Sequence, residues 1–305
     1  MTQPAPASDI VPDSEHRGIV ARLPLPLRDY ALLARFDRPI GWWLLFWPGA
    51  WSVWLTGAGV QWQLLLWMLL GSIAMRGAGC VYNDIVDADI DRQVARTAKR
   101  PVASGRVSKT GAWIWLLTLC AVGLVVLLQL RPLAQLVALG SLALVAAYPF
   151  MKRITGWPQA WLGLVFTWSA PVGWIALRGD RLDVLAALYA GAILWCIGYD
   201  TIYALQDRED DALVGIGSSA LSLGSNVRLG VGAFFGGAVF FFGLAIWLLR
   251  QDWVALLALA PAAIHFAWQV LTLDPDDGAN ALRRFRSNRY AGLLVAAACF
   301  VAGNA

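Results

Sequence analysis

Charge is scarce in this chain: Asp, Glu, Lys and Arg together make up 14% of its 305 residues, where soluble domains usually carry about a quarter. That shortage excludes an ordinary solvated globule, and a hydrophobic content of 59% takes up the difference. Histidine is rarer still, with His16 near the amino terminus and His265 in a late apolar stretch, so neither a histidine-ligated metal nor a histidine-based triad can be assembled. Any metal must be held by oxygen. The four cysteines, Cys80, Cys120, Cys196 and Cys299, stand singly in or beside apolar segments, without the spacing of a metal site or a disulfide framework. They read as small packing residues. No early apolar core follows a basic start; residues 1–27 are polar and proline-rich, with Asp9, Asp13 and Glu15, and are expected to form a disordered cytoplasmic tail rather than a secretory signal.

What the chain has in abundance is apolar runs of about 20 residues, each long enough to cross a hydrocarbon core about 30 Å thick as a helix. Nine such stretches lie near residues 40–58, 62–83, 110–130, 132–150, 157–177, 183–205, 229–249, 253–272 and 289–304. The expectation is an all-α, multi-pass membrane bundle over residues 28–305 with about nine transmembrane helices. Arg131-Pro132 divides the two runs between 110 and 150. Of the 24 Lys and Arg, nineteen fall on the side of the amino terminus, four on the other and Arg76 inside a span. By the positive-inside rule the amino terminus is cytoplasmic. The net charge of +4 does not imply nucleic acid, because the basic residues are dispersed over membrane-proximal loops, where they set topology and meet anionic lipid.

Every acidic cluster falls on that same face. In Asn83-Asp84-Ile85-Val86-Asp87-Ala88-Asp89-Ile90-Asp91, at 100° per helical residue, Asp84, Asp87 and Asp91 lie within about 60° of one another, and Asp89 points elsewhere into solvent. The second cluster runs from Asp200 to Asp211, with Asp200, Tyr203, Asp207 and Asp211 on one face. Laying Asp207 and Asp211 over Asp87 and Asp91 puts Tyr203 on Asn83 and Asp200 on Cys80, a pattern of diverged internal repetition. Facing carboxylates repel, and a hard cation cancels that repulsion. Mg²⁺ typically takes one or two carboxylates together with phosphate oxygens, so the expected ligand is a diphosphate bridged by Mg²⁺ between the two stripes.

These residues resemble those of the intramembrane aromatic prenyltransferases, most closely the 4-hydroxybenzoate polyprenyltransferases of ubiquinone synthesis. The resemblance covers nearly the whole chain after the tail. It rests on Arg38-Pro39-Ile40-Gly41, Gly79 to Asp84 with Asp87 and Asp91, Arg96 to Pro101, Tyr148-Pro149-Phe150-Met151-Lys152-Arg153, the Asp200 to Asp211 motif, Gly215-Ile216 and Asn288 to Gly292. It implies a bundle around a central cavity in which Asp84, Asp87, Asp91, Asp207 and Asp211 serve Mg²⁺ and the diphosphate. It assigns Arg153, with Lys152 beside it, to a substrate anion, and Asn83, Asp200 and Tyr203 to the cavity wall. One position departs from the family: Gly217 stands where a lysine is common. Arg92, Arg96, Lys99, Arg100 and Arg228 are the candidates to supply the missing charge, and Arg96 and Arg100 are taken as substrate-binding.

The implied reaction transfers a polyprenyl group from its diphosphate to 4-hydroxybenzoate, ortho to the hydroxyl, by electrophilic aromatic substitution. Asp200 is expected beside that hydroxyl, its alternative being a pair with Arg76. A naphthoate, homogentisate or haem acceptor is the nearest rival, and an ion-coupled transporter the rival from another class. The composition of the amino terminus points to a bacterial inner membrane. Trp42, Trp43, Trp47, Trp51 and Trp54, in the first span, either line a tunnel for the prenyl chain or serve in packing and interfacial anchoring.

Overall fold

A computed structural model of the chain describes residues 20–93, 97–206, 208, 215 and 217–304. Among the described residues every regular element is helical. Seven helical passes among the described residues are long and apolar enough to cross a membrane: Trp62–Val86, Lys109–Leu127, Pro132–Met151, Pro158–Leu177, Leu182–Ala204, Ser219–Arg250 and Trp253–Leu271. The other two expected spans are helices at Ile40–Leu55 and Gly278–Asn304. The first, at 16 residues, spans about 24 Å, short of a hydrocarbon core of about 30 Å. The second carries Arg283, Arg284, Arg286 and Arg289 in its amino-terminal half, because the Asp277 carboxylate accepts the Ala279 and Asn280 N–H groups at 2.8 and 3.0 Å and starts the helix well before its apolar part. Among the described residues two elements precede the first expected span: a 3₁₀ turn at Val20–Arg22 and helix α1 at Leu25–Leu33.

The break expected at Arg131-Pro132 is present, with one helix ending at Leu127 and the next starting on Pro132. Two further breaks divide passes expected to be continuous. The 157–177 pass consists of α7 (Pro158–Phe166) and α8 (Ser169–Leu177), because Pro171 has no N–H for the Thr167 carbonyl four residues back. The freed backbone is satisfied locally: Ala170 N–H donates to Thr167 O at 2.9 Å, and the Thr167 hydroxyl to Gly163 O at 2.7 Å. Pro261 acts in the same way between Trp253–Leu257 and Ala260–Leu271.

The chain forms two compact units, Met1–Gly41 with Ile73–Gly123, and Trp42–Ser72 with Leu124–Ala305. The first has its own core of Leu33, Ala34, Ala78, Val81, Ile85, Val102, Val107 and Leu119. In the second, α9 (Leu182–Ala204) is central and largely buried. Its Gly191 and Gly198 are seven residues, or two helical turns, apart. A β-carbon at either would lie 2.7 or 2.6 Å from the Phe242 and Phe235 rings of the helix Val227–Arg250, themselves seven apart. Two rings thus seat in two gaps, the small-residue packing that membrane helices need where no hydrophobic force drives them together. Trp51 belongs to this core, 4.8 Å from Trp195 and 5.2 Å from Phe242 between ring centroids, so at this position the packing reading of the tryptophan cluster holds.

Candidate active site

The first acidic motif is built within the first unit. The helix Trp62–Val86 ends one residue before Asp87, and a short turn, Ala88–Asp91, follows. The expected continuous stripe is therefore bent at Asp87, yet the carbonyls still bond four residues on, with Asp87 N to Asn83 O at 2.9 Å and Asp91 N to Asp87 O at 2.8 Å. Asp84, Asp87 and Asp91 all turn inward, at 2%, 1% and 6% exposure. Asp89 stays in solvent, its side chain 74% exposed and paired with Arg92 at 2.7 Å, as its angle on the helix requires.

Three buried carboxylates this close in sequence demand compensation, because an unpaired buried charge is costly. Arg100, assigned to substrate from the sequence, donates to Asp84 at 3.3 Å and Asp91 at 2.9 Å. Burial, opposed by the Arg100 charge and reinforced by Asp84, holds the Asp91 carboxyl above the usual carboxylate value. The Nε of Arg100 is buried without a hydrogen-bond partner among the described residues, a donor that an anion's oxygen would satisfy.

Sequence reasoning missed Arg35, which it counted only as a topological charge. Its guanidinium grips both oxygens of Asp84, at 2.9 and 3.1 Å, and donates to Leu32 O at 3.0 Å. Arg35 has φ 58°. It closes α1 in the manner of a Schellman motif: Phe36 N bonds to Ala31 O at 2.9 Å and Arg35 N to Leu32 O at 3.0 Å. That left-handed position ordinarily holds glycine. Here an arginine is held there instead, with its guanidinium bonded to Asp84. The signal lay in α1 itself, an unassigned helix whose end aims Arg35.

In the second unit, Asp200 and Tyr203 sit half-buried in the last turns of α9, the Tyr203 ring 4.6 Å from that of Phe285. Asp207 and Asp211 lie outside the described residues, as does Arg96. Lys152 and Arg153 are in the last turn of the helix Pro132–Ile154, Arg153 exposed and the Lys152 side chain outside what is described. Asn83, in the first unit, is half-buried. Among the described residues no three His, Cys, Asp or Glu converge closely enough to hold a metal by themselves. The donor set still suits a hard cation: three buried carboxylates and no softer ligand.

Gly217 has a structural reason. A β-carbon there would fall on the Thr155 carbonyl oxygen and 3.0 Å from the Gly156 Cα. The turn after the Tyr148–Arg153 motif thus touches the loop after the second acidic motif, backbone to backbone. Replacing Gly217 with alanine is expected to lower stability by about 1–3 kcal/mol through overpacking, read as a lower unfolding temperature in detergent. Lysine at this position is expected to do at least as much harm. A Gly217→Lys protein as stable as the parent would show that the loop can move away.

Comparison with known proteins places this geometry. The profile of the UbiA prenyltransferase family matches residues 45–299. The chain is 40% identical over 292 residues to the 4-hydroxybenzoate polyprenyltransferase, mitochondrial, of Arabidopsis thaliana, covering 94% of this chain and 72% of that protein. Among solved structures, the apo UbiA homolog from Aeropyrum pernix K1 aligns with a TM-score of 0.70 at 26% identity, over 84% of this chain and 96% of that one. A UbiA homolog from Archaeoglobus fulgidus bound to GPP and Mg²⁺ shares the fold at a TM-score of 0.64 and 17% identity, over 91% of this chain and 100% of that one. With a buried, arginine-held acidic motif on a bundle of apolar helices, and a profile match over most of its length, the chain belongs to the UbiA prenyltransferase family.

Proposed function

We propose that this protein transfers a polyprenyl group from polyprenyl diphosphate to carbon 3 of 4-hydroxybenzoate, with release of diphosphate, as the ring-prenylating step of ubiquinone synthesis. The observation that carries the reading is the buried carboxylate cluster with its two guanidinium partners, in a chain 40% identical to a 4-hydroxybenzoate polyprenyltransferase over 94% of its length. The distribution of Lys and Arg favours an amino terminus and acidic motifs on one and the same face of the membrane, the cytoplasmic one if the membrane is a bacterial inner membrane.

Asp84, Asp87 and Asp91, with Asp207 and Asp211, would hold Mg²⁺. When bound, the metal neutralises charge on the diphosphate, which lowers the barrier to its departure. The chain's own groups do the rest. Arg35 and Arg100 keep the carboxylates of the first motif in place despite their mutual repulsion, and the orphaned Nε of Arg100 offers a donor to a phosphate oxygen. Arg96 adds positive charge to the same substrate. Heterolysis of the carbon–oxygen bond sends the electron pair out with the diphosphate and leaves an allylic cation. The ring carbon ortho to the hydroxyl attacks it, and the proton on that carbon then leaves to a base. Asp200 accepts the acceptor's hydroxyl proton as a hydrogen bond and so raises electron density at the ortho carbon. Arg153 and Lys152 meet the carboxylate, Arg153 through its planar fork of donors. Asn83 and Tyr203 line the wall, and the prenyl tail lies among apolar helices.

The test is product formation in membranes containing the protein, supplied with polyprenyl diphosphate and 4-hydroxybenzoate, with Mg²⁺ or with EDTA. Product is expected with Mg²⁺ and none with EDTA, restored when Mg²⁺ is added back. Folded protein that ignores 4-hydroxybenzoate but prenylates homogentisate or a naphthoate would overturn the acceptor assignment.

A further inference from the structure

A buried polar network in the second unit lies outside the groups assigned above. The Gln159 side-chain carbonyl, on the first turn of α7, accepts the Ser219 backbone N–H at 2.9 Å. The Ser219 hydroxyl pairs with that of Thr201 on α9 at 2.7 Å, and Thr201 also bonds to Ile197 O at 2.7 Å. Thr201 and Ser219 are fully buried and Gln159 nearly so. Around this centre the Ser222 hydroxyl donates to Gly156 O at 2.8 Å, and Ser218 caps its own short helix by accepting from Leu221 N at 3.3 Å. Buried polar side chains inside a membrane bundle are expensive unless satisfied, and an apolar cluster would stabilise these helices without them.

Their place in the chain explains their use. Thr201 stands one residue after Asp200, and Ser219 follows Gly215-Ile216-Gly217-Ser218. Between them runs the stretch of sequence that carries Asp207 and Asp211. The hydroxyl pair joins the two ends of that stretch, 18 residues apart, and thereby offsets the entropy of closing so long a connection. Gln159 follows Arg153 by six residues, just past the turn at Thr155 and Gly156 against which Gly217 packs. Three motif-bearing segments therefore meet at one network.

We infer that Gln159, Thr201 and Ser219 are positioning residues for diphosphate binding: they hold together the two ends, at Thr201 and Ser219, of the stretch of sequence that carries Asp207 and Asp211. In this chain the backbone of Gly217 sits against the Thr155 carbonyl and the Gly156 Cα, leaving no room for a side chain, and so holds the same end of that stretch. The inference rests on the proposed use of Asp207 and Asp211.

The test compares Gln159→Met, Thr201→Val and Ser219→Ala with the parent, and Thr201→Ser as the conservative control. The readout is calorimetric binding of geranyl thiolodiphosphate with Mg²⁺, alongside KM for prenyl diphosphate and for 4-hydroxybenzoate. Gln159→Met and Thr201→Val are expected to bind the analogue about tenfold more weakly, as for one orphaned buried hydrogen bond, and Ser219→Ala, which strands no donor, about threefold more weakly. KM for the diphosphate rises in step and KM for 4-hydroxybenzoate stays within about twofold. Thr201→Ser keeps the hydroxyl and should match the parent. Ser219→Ala is the mildest change, leaving the backbone bond to Gln159, and keeps the test open if the other two unfold. Unchanged analogue affinity in folded variants overturns the inference, as does an equal loss in Thr201→Ser and Thr201→Val. Parent protein that binds the analogue but prenylates no acceptor overturns the reaction instead, and the binding comparison still decides the positioning role.

Discussion

Replacing Arg35 with alanine is expected to lower the unfolding free energy by about 3–5 kcal/mol, the usual consequence of removing one partner from a buried ion pair. Asp84 is 2% exposed, and without Arg35 its side chain is left with the longer bond from Arg100, at 3.3 Å. Two companion variants separate charge from backbone. Arg35→Gly loses the same ion pair but relieves the left-handed position at φ 58°, so it should be about 1 kcal/mol more stable than Arg35→Ala. In Arg35→Ala/Asp84→Asn no charge is stranded, and a large part of the lost stability should return. Activity should not return with it, because a metal-binding carboxylate has gone. Denaturant or thermal unfolding in detergent, together with the transfer assay, reads all three. An Arg35→Ala protein as stable as the parent would mean that Arg100 alone neutralises Asp84.

Asn288→Leu is expected to be about as destabilising, for a different reason. The Asn288 carboxamide oxygen accepts Trp195 Nε1 at 2.9 Å and Gln269 Nε2 at 3.3 Å. Its nitrogen donates to Gln269 Oε1 at 2.9 Å and to the Arg284 and Phe285 carbonyls at 3.2 and 3.3 Å. Asn288 and Gln269 are wholly buried. Leucine would leave the Trp195 donor and both ends of Gln269 without this partner, at about 1–3 kcal/mol for each orphaned group, and a total of about 3–5 kcal/mol is reasonable since such terms do not add fully. Changing Gln269 to leucine as well removes two of the stranded groups and should restore part of the loss. Transfer activity per folded molecule should keep its KM for both substrates. A raised KM for either would place Asn288 in the substrate site instead of the bundle's internal lock.

Asn288 also shows what a motif match can hide. The Asn288 to Gly292 run contributed to the family resemblance together with the acidic motifs, and nothing in residue type separated the two roles. In the structure the run ties helices together: Asn288 joins three of them, and the Gly292 carbonyl accepts Trp51 Nε1 at 2.8 Å. Proline carries the same ambiguity. Pro48 and Pro149 lie inside helices that continue through them, whereas a break precedes Pro171 and Pro261. Each removes the same N–H; whether the chain bends or breaks depends on what neighbouring helices and hydroxyls offer the freed carbonyl.

Local pattern alone determined that this chain is a helical membrane protein, where most helices run, that Asp84, Asp87 and Asp91 share a face and that Asp89 does not. Those properties follow from the length of apolar runs and from 100° per residue, both legible within one segment. Tertiary structure alone decided that Arg35 holds Asp84, that Gln159 holds Ser219 and that Asn288 holds Trp195. Those partners stand 49, 60 and 93 residues apart. Such pairings have no period and no motif. They exist because packing buries polar groups, and a buried polar group must find a partner wherever in the chain the fold brings one within reach.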